Sequence, residues 1–60
     1  MSLGRLLLEA DLAGLGIVSW RYDDDGVFCF AQRAPIGSVT RGANGRDALY
    51  RLLRRLHIVP

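Results

Sequence analysis

The apolar residues follow two different spacings along the chain, and these predict helices at both ends with strands between them. Residues 3–13 and 46–56 carry apolar side chains three and four positions apart, which is the spacing of one helix face. Residues 17–22 and 27–32 are short runs rich in β-branched and aromatic residues, bounded by turn-forming residues. The pattern therefore predicts one small α+β domain over residues 1–60, in the order α-β-β-α, with an antiparallel β-hairpin packed against two helices.

The first predicted helix has suitable residues at both ends and one broad apolar face. Ser2 is placed to cap its beginning, and Gly14 or Gly16 to end it. The predicted buried face comprises Leu3, Leu6, Leu7, Ala10 and Ala13.

Leu8 and Leu12 fall outside that face, between Arg5 and Asp11, where a lone amphipathic helix carries polar residues. Arg5 and Glu9 are four positions apart and are expected to pair weakly. Two interpretations of the leucines stay open. Either the hairpin wraps around and covers them, or they form a second contact face for another molecule.

The run Asp23-Asp24-Asp25-Gly26 between the strands predicts a hairpin turn. A three-residue loop with Gly26 in the left-handed region is the expected form, because it gathers the aromatic side chains on one sheet face. That face would carry Trp20, Tyr22, Phe28 and Phe30, and the other Ile17, Ser19, Arg21, Val27, Cys29 and Ala31. A loop of two or four residues would instead divide the aromatics between the faces.

The last helix has the clearest local signals. Asn44 is placed to cap it, and Asp47 follows three positions on as a carboxylate variant of the capping box. Its predicted buried stripe comprises Ala48, Leu49, Leu52, Leu53 and Leu56, and His57 is expected in its last turn. In the loop over residues 34–45, residues 38–40 are either a short third strand or extended chain.

Half of the residues are apolar in a chain of only 60. A domain of this size buries about 60% of its extended surface, and its single cysteine, Cys29, permits no internal disulfide. We therefore expect a homodimer or a bound partner to cover the remaining apolar surface. Charges interrupt every apolar run, so we expect no membrane span or secretory signal, and a cytoplasmic protein.

The charges are unevenly distributed, and every basic residue is an arginine. Residues 1–30 carry two arginines against five acidic residues, whereas residues 31–60 carry six arginines against one aspartate. Arginine binds carboxylates and phosphates through a planar group with two parallel donors. The basic half of the chain therefore suits an acidic protein segment or a nucleic acid.

No set of residues predicts catalysis, a cofactor or a metal site. His57 and Cys29 stand outside any recognisable nucleophile or triad pattern, so we expect a protein that is not an enzyme. The three adjacent acids at Asp23, Asp24 and Asp25 suit a solvated turn better than the alternating ligands of a calcium loop.

A glycine-rich segment with two arginines precedes the last helix, and helix amino termini bind anions. Together with the basic face of that helix, this segment predicts an alternative role as a small nucleic-acid-binding regulator. The residues of the alternative are Arg41, Gly42, Gly45, Arg46, Arg51, Arg54 and Arg55.

Several short features are spread over most of the chain. They are Leu6-Leu7, Gly14 or Gly16, Trp20, the acidic turn ending in Gly26, Arg33-Ala34-Pro35 with Gly37, and the leucine-rich last helix. This layout resembles the small N-terminal docking domains of nonribosomal-peptide and polyketide megasynthases. The chain departs from that family in its long loop over residues 41–45 and in having one clear helix after the hairpin. The resemblance implies a dimer that holds a partner's charged peptide on an exposed hairpin strand.

These observations lead to one main functional prediction. The chain is expected to be a non-enzymatic protein–protein interaction module, such as a small adaptor, docking domain or inhibitor, acting as a homodimer. It would bind an acidic or extended partner segment, which the edges of the hairpin suit by strand addition. The predicted contact residues are Leu8 and Leu12, from the helix pattern, and Arg21, Phe28, Phe30 and Arg33, which the resemblance implies.

Overall fold

The structure is a computed structural model that describes all 60 residues, and it confirms the α+β class. Two helices enclose three strands along the chain, so the order is α-β-β-β-α. The elements are α1 (Leu3–Leu12), β1 (Val18–Asp23), β2 (Gly26–Ala31), β3 (Thr40–Gly42) and α2 (Gly45–Arg55). The strands form one antiparallel sheet in the order β1-β2-β3.

Helix α2 covers one face of the sheet, which we call the inner face. Its stripe of Ala48, Leu49, Leu52 and Leu53 is fully buried, as the sequence predicts, and Leu56 is half-buried. Two side-chain hydrogen bonds hold α2 against the strands. The Trp20 indole Nε1 donates to the Gly45 carbonyl at 2.8 Å, and the Thr40 hydroxyl donates to the Ala48 carbonyl at 2.7 Å.

The hairpin register differs from the predicted one. Asp23 pairs with Gly26, so the turn has two residues rather than three. The Asp23 carboxylate accepts the Asp25 backbone N–H at 2.8 Å, which stabilises this tight turn. Gly26 follows at a φ of +129°, a conformation that favours glycine. The aromatics are consequently divided between the two faces, with Trp20 and Tyr22 opposite Cys29 and Val27 on the inner face.

Close packing of α2 explains why the aromatics do not share a face. A Cβ atom on Gly42 would overlap the backbone nitrogen of Ala48, which shows how near α2 lies to the sheet. The middle strand therefore presents only small side chains inward, namely Val27, Cys29 and Ala31. Phe28 and Phe30 point to the opposite face, which we call the outer face.

Helix α1 buries less of its apolar face than predicted. Ser2 caps it as expected, its hydroxyl accepting the Arg5 N–H at 3.1 Å. Only Leu6 and Ala10 are buried, while Leu3, Leu7 and Ala13 are exposed. The reason is that α1 packs chiefly against α2 and barely reaches the sheet. It ends in a turn at Gly14, which has a φ of +75°.

The structure confirms the predicted cap of α2, but the predicted positions of His57 and of the third strand are wrong. The Asn44 side chain accepts the Asp47 N–H at 2.8 Å, and the helix ends at Arg55. His57 lies beyond the last turn, in a left-handed connection with a φ of +59°. A third strand exists, but it begins at Thr40, two residues later than the predicted segment.

Candidate docking surface

The outer face of the sheet has no helix over it, and its side chains combine aromatic and cationic groups. Phe28 lies on the middle strand directly between Arg21 of β1 and Arg41 of β3. In the next row, Phe30 lies opposite Ser19. The Phe30 side chain remains 40% exposed because nothing in the chain covers it.

A shallow groove of about 260 Å³ opens on this face. Phe28, Phe30 and Val39 form its apolar lining, and Arg21 supplies its one charge. The Arg55 guanidinium donates to the Val39 carbonyl at 3.0 Å, which anchors the wall of the groove to α2. The groove therefore suits an apolar side chain with an acidic group beside it.

The cation in this groove is held only weakly by the chain itself. Arg21 has only Asp23 as an acidic neighbour, at 3.7 Å, and its side chain is 76% exposed. An exposed ion pair of that length contributes at most about 1 kcal/mol. A partner carboxylate with better geometry would therefore replace Asp23 at little cost.

Strand β1 is an edge strand with free backbone groups. The Gln32 N–H donates to the Ile17 carbonyl at 2.9 Å, and the Ile17 N–H donates to the Gln32 side-chain oxygen at 3.4 Å, so Ile17 lies at a hydrogen-bonding position of the ladder. Because such pairs alternate along an antiparallel ladder, Val18, Trp20 and Tyr22 direct their N–H and C=O groups away from β2. The open edge of β1 thus offers backbone donors and acceptors at every second residue.

The predicted contact residues fall on two separate surfaces. Arg21, Phe28 and Phe30 come together on the outer face, as the groove shows. Leu8 and Leu12 lie on α1, are exposed, and are not covered by the hairpin. The Arg33 side chain is exposed in the turn after β2 and does not line the groove.

One residue of the groove was not among the predicted contact residues. Val39 faces outward because it continues the alternation of β3, where Arg41 points outward and Thr40 inward. The sequence contains the alternation that places Val39 outward, but finding it requires recognising a strand of only three residues.

The residues of the nucleic-acid alternative are only partly brought together, because Arg41, Gly42 and Arg51 line one polar groove with Asp25 and Asp47. Arg41 and Gly42 belong to β3 rather than to the loop in which the sequence placed them. Gly45 is the first residue of α2, with its carbonyl bound by Trp20. The remaining arginines have separate partners: Arg46 donates to the Met1 carbonyl, Arg51 pairs with Asp47, Arg54 stacks on Tyr50 and Arg55 binds Val39.

An aspartate of the chain occupies the amino terminus of α2. The Asp47 carboxylate accepts the Ala43 backbone N–H at 2.9 Å and the Arg51 Nε–H at 3.2 Å. The hydrogen bond from Ala43, aided by the charges of Arg51 and Arg46, lowers the pKa of this carboxyl. The polar groove beside it is also lined by Asp25. The Asp47 carboxylate thus places a negative charge of the chain at the end of the helix where an anion would bind.

The other candidate reactive groups lie apart from the groove. Cys29 is fully buried on the inner face, and burial raises the pKa of its thiol to about 11. His57 is exposed beyond the end of α2. No three histidine, cysteine or acidic side chains come together as a group suited to a metal ion. Neither helix has the length and apolar content to cross a bilayer.

Comparisons with protein-family models, curated proteins and solved structures find no match for this chain.

Proposed function

We propose that this chain is a protein–protein interaction module that docks an extended acidic segment of a partner against β1 and the outer face. The observation that carries this function is the row Arg21–Phe28–Arg41, which lies uncovered beside the open edge of β1. The resemblance to megasynthase docking domains is consistent with the same role, and no enzymatic step is part of it.

The backbone of the partner would pair with the open edge. A segment added there donates to and accepts from the free groups of Val18, Trp20 and Tyr22, as strand addition requires. Because side chains alternate along a strand, every second residue of the segment would lie over the outer face. The main chain supplies affinity in this arrangement, and the outward side chains supply specificity.

The outward side chains of the segment would meet one cation and one apolar groove. A carboxylate next to β1 reaches the guanidinium of Arg21, which is the cation that β1 presents on that face. An apolar side chain lying over Ser19, whose side chain is small, would point towards Phe30, which lies opposite Ser19 on β2. The expected segment is therefore extended, with acidic and apolar residues alternating on one side.

Selection from a random-peptide library tests this function without knowledge of the natural partner. Selected peptides are expected to be enriched in aspartate and glutamate, and the affinity of the best one is then measured by fluorescence anisotropy. Arg21→Glu is expected to weaken that affinity by about tenfold, because it opposes the partner's charge at the groove.

Arg54→Glu is the matched control, since Arg54 is an exposed arginine that contacts Tyr50 on α2. This variant changes the net charge equally and is expected to bind the peptide as the wild type does. Selected peptides without acidic residues, or equal loss of affinity in both variants, would show that binding at the outer face does not depend on the charge of Arg21.

A further inference from the structure

Helix α1 carries a second apolar stripe on the side away from the molecule. Gly4, Leu8 and Leu12 are each four positions apart, so they lie in one row along the helix. At 100° per residue this row is about 180° from the buried Leu6 and Ala10. The side chains of Leu8 and Leu12 are 46% and 72% exposed.

We propose that two copies of this chain associate through this row, with their α1 helices antiparallel and Leu8 at the two-fold axis. An antiparallel pair centred on Leu8 places Leu12 over the partner's Gly4, since each lies about 6 Å from the centre along the helix. A Cβ atom on Gly4 would have nothing within 4 Å, so the space above it is open. The leucine of one copy thus fits where the other copy has no side chain.

The charges beside the row favour the antiparallel orientation. In an antiparallel two-fold pair, the same flank of both helices comes together, so Arg5 lies near the partner's Glu9. These two residues already form an ion pair at 3.0 Å within one helix. The dimer would extend it to a neutral cluster of four charges, in which the two Glu9 carboxylates lie between the two arginines. A parallel pair would instead bring Glu9 near the partner's Asp11, which is repulsive.

A second copy suits this surface better than it suits the outer face. Two outer faces brought together would oppose Arg21 and Arg41 of one copy to the same arginines of the other. The row on α1 has no unpaired cation, because Glu9 neutralises Arg5. The molecule also needs such burial, since only 10 of its 60 residues are buried.

Disulfide trapping tests both the interface and its orientation. Single-cysteine variants Leu8→Cys, Leu12→Cys and Gly4→Cys are prepared in a Cys29→Ala background and oxidised. Leu8→Cys is expected to form a dimer with itself, because the two positions face each other across the axis. Leu12→Cys alone is not, since its two copies are about 12 Å apart along the helix. A mixture of Leu12→Cys and Gly4→Cys is expected to form the mixed dimer.

A disulfide between two copies of Leu12→Cys would show a parallel pair and overturn the proposed orientation. No trapping above the level of an Arg54→Cys control would overturn the interface itself. Sedimentation of Leu12→Glu gives an independent readout, and its dimer dissociation constant is expected to rise by tenfold or more. Folding is checked by circular dichroism, because Leu12 is exposed in the single chain and its replacement leaves the core intact.

The proposed dimer interface and the proposed docking site can be tested separately. Arg21 and the open edge of β1 lie on other elements than α1, so peptide affinity per chain is expected to be unchanged in Leu12→Glu. Loss of the dimer with retained peptide binding would therefore bear on this inference alone.

Discussion

Single residues determine how closely α2 approaches the sheet. Gly42 faces α2, and any side chain there would overlap the backbone of Ala48. Gly45 is different, because an added Cβ would meet the Tyr22 hydroxyl at 3.2 Å, the end of a flexible and exposed side chain. Backbone cannot move as easily as a side-chain end, so the two glycines should respond differently to the same substitution.

We expect Gly42→Ala to destabilise the fold by about 2 to 3 kcal/mol, through overpacking against α2. Gly45→Ala is expected to change stability by less than about 1 kcal/mol, because helix propensity offsets a small displacement of Tyr22. Urea unfolding followed by Trp20 fluorescence measures both. Equal stability of the two variants would contradict the close approach at Gly42.

The buried thiol of Cys29 provides a second prediction at this scale. Its pKa in the folded state is about 11, above the ordinary value, because burial disfavours the thiolate. A thiol reagent is therefore expected to modify the native chain slowly near neutral pH and rapidly in urea. The same shift makes the fold lose stability as the pH rises from about 9 towards 11, since the unfolded thiol releases its proton first. Rapid labelling of the native chain would contradict the burial.

At the scale of elements, the sequence predicts helices better than it predicts the hairpin register. The bounds of α2 follow from local signals, namely the Asn44 cap and the leucine stripe. The register depends instead on how near α2 lies to the middle strand, which is a tertiary property. The middle strand does indicate which of its faces lies against α2, because small side chains at Val27, Cys29 and Ala31 alternate with Phe28 and Phe30. The predicted loop length was wrong because it was chosen to form cross-strand aromatic pairs. Arg21 shares the groove with Phe28 and Phe30 because the two-residue turn places all three outward, whereas the predicted loop would have put Arg21 on the opposite face.

The amino terminus of α2 gives a pH-dependent prediction. The folded-state pKa of Asp47 is lowered, chiefly by the hydrogen bond from Ala43. Its contribution to stability is therefore present above the pKa of the unfolded chain and is lost as the pH falls through the folded value. Urea unfolding from about pH 7 to about pH 2 should show Asp47→Asn losing less stability on acidification than the wild type.

Asp24→Asn is the control for that series, because the exposed Asp24 side chain has no ion pair or hydrogen bond. Its acid dependence is expected to match that of the wild type. If Asp47→Asn also followed the wild-type curve, the Asp47 carboxylate would not accept the Ala43 N–H in solution.

The whole molecule presents two surfaces with different chemistry. The outer face carries arginines beside aromatic residues, whereas the free row of α1 is apolar, with the Arg5–Glu9 ion pair on one flank and Asp11 on the other. A dimer formed through α1 would leave both outer faces open, so one assembly would hold two partner segments. Sequence reasoning named Leu8 and Leu12 of the row and three residues of the groove, but missed Gly4 and Val39. It could not show that the two surfaces lie apart, because this depends on where α1 packs.

The net charge of +2 leaves nucleic-acid binding as the alternative role, and salt dependence distinguishes it. Because the arginines of α2 have separate partners within the chain, we expect labelled DNA or RNA to bind weakly at about 50 mM salt. Several phosphate contacts would instead give binding that falls on the order of 10³-fold by about 200 mM salt. Fluorescence anisotropy at both concentrations makes the distinction.

The most direct test of the docking function is amide hydrogen exchange of the chain, free and with the best selected peptide. Strand addition at the open edge of β1 predicts new protection at every second amide, namely Val18, Trp20 and Tyr22. The intervening Ser19 and Arg21 amides already bond to β2 and are expected to change less. Peptide binding that leaves the three edge amides unprotected, or protects α2 instead, would contradict docking at β1.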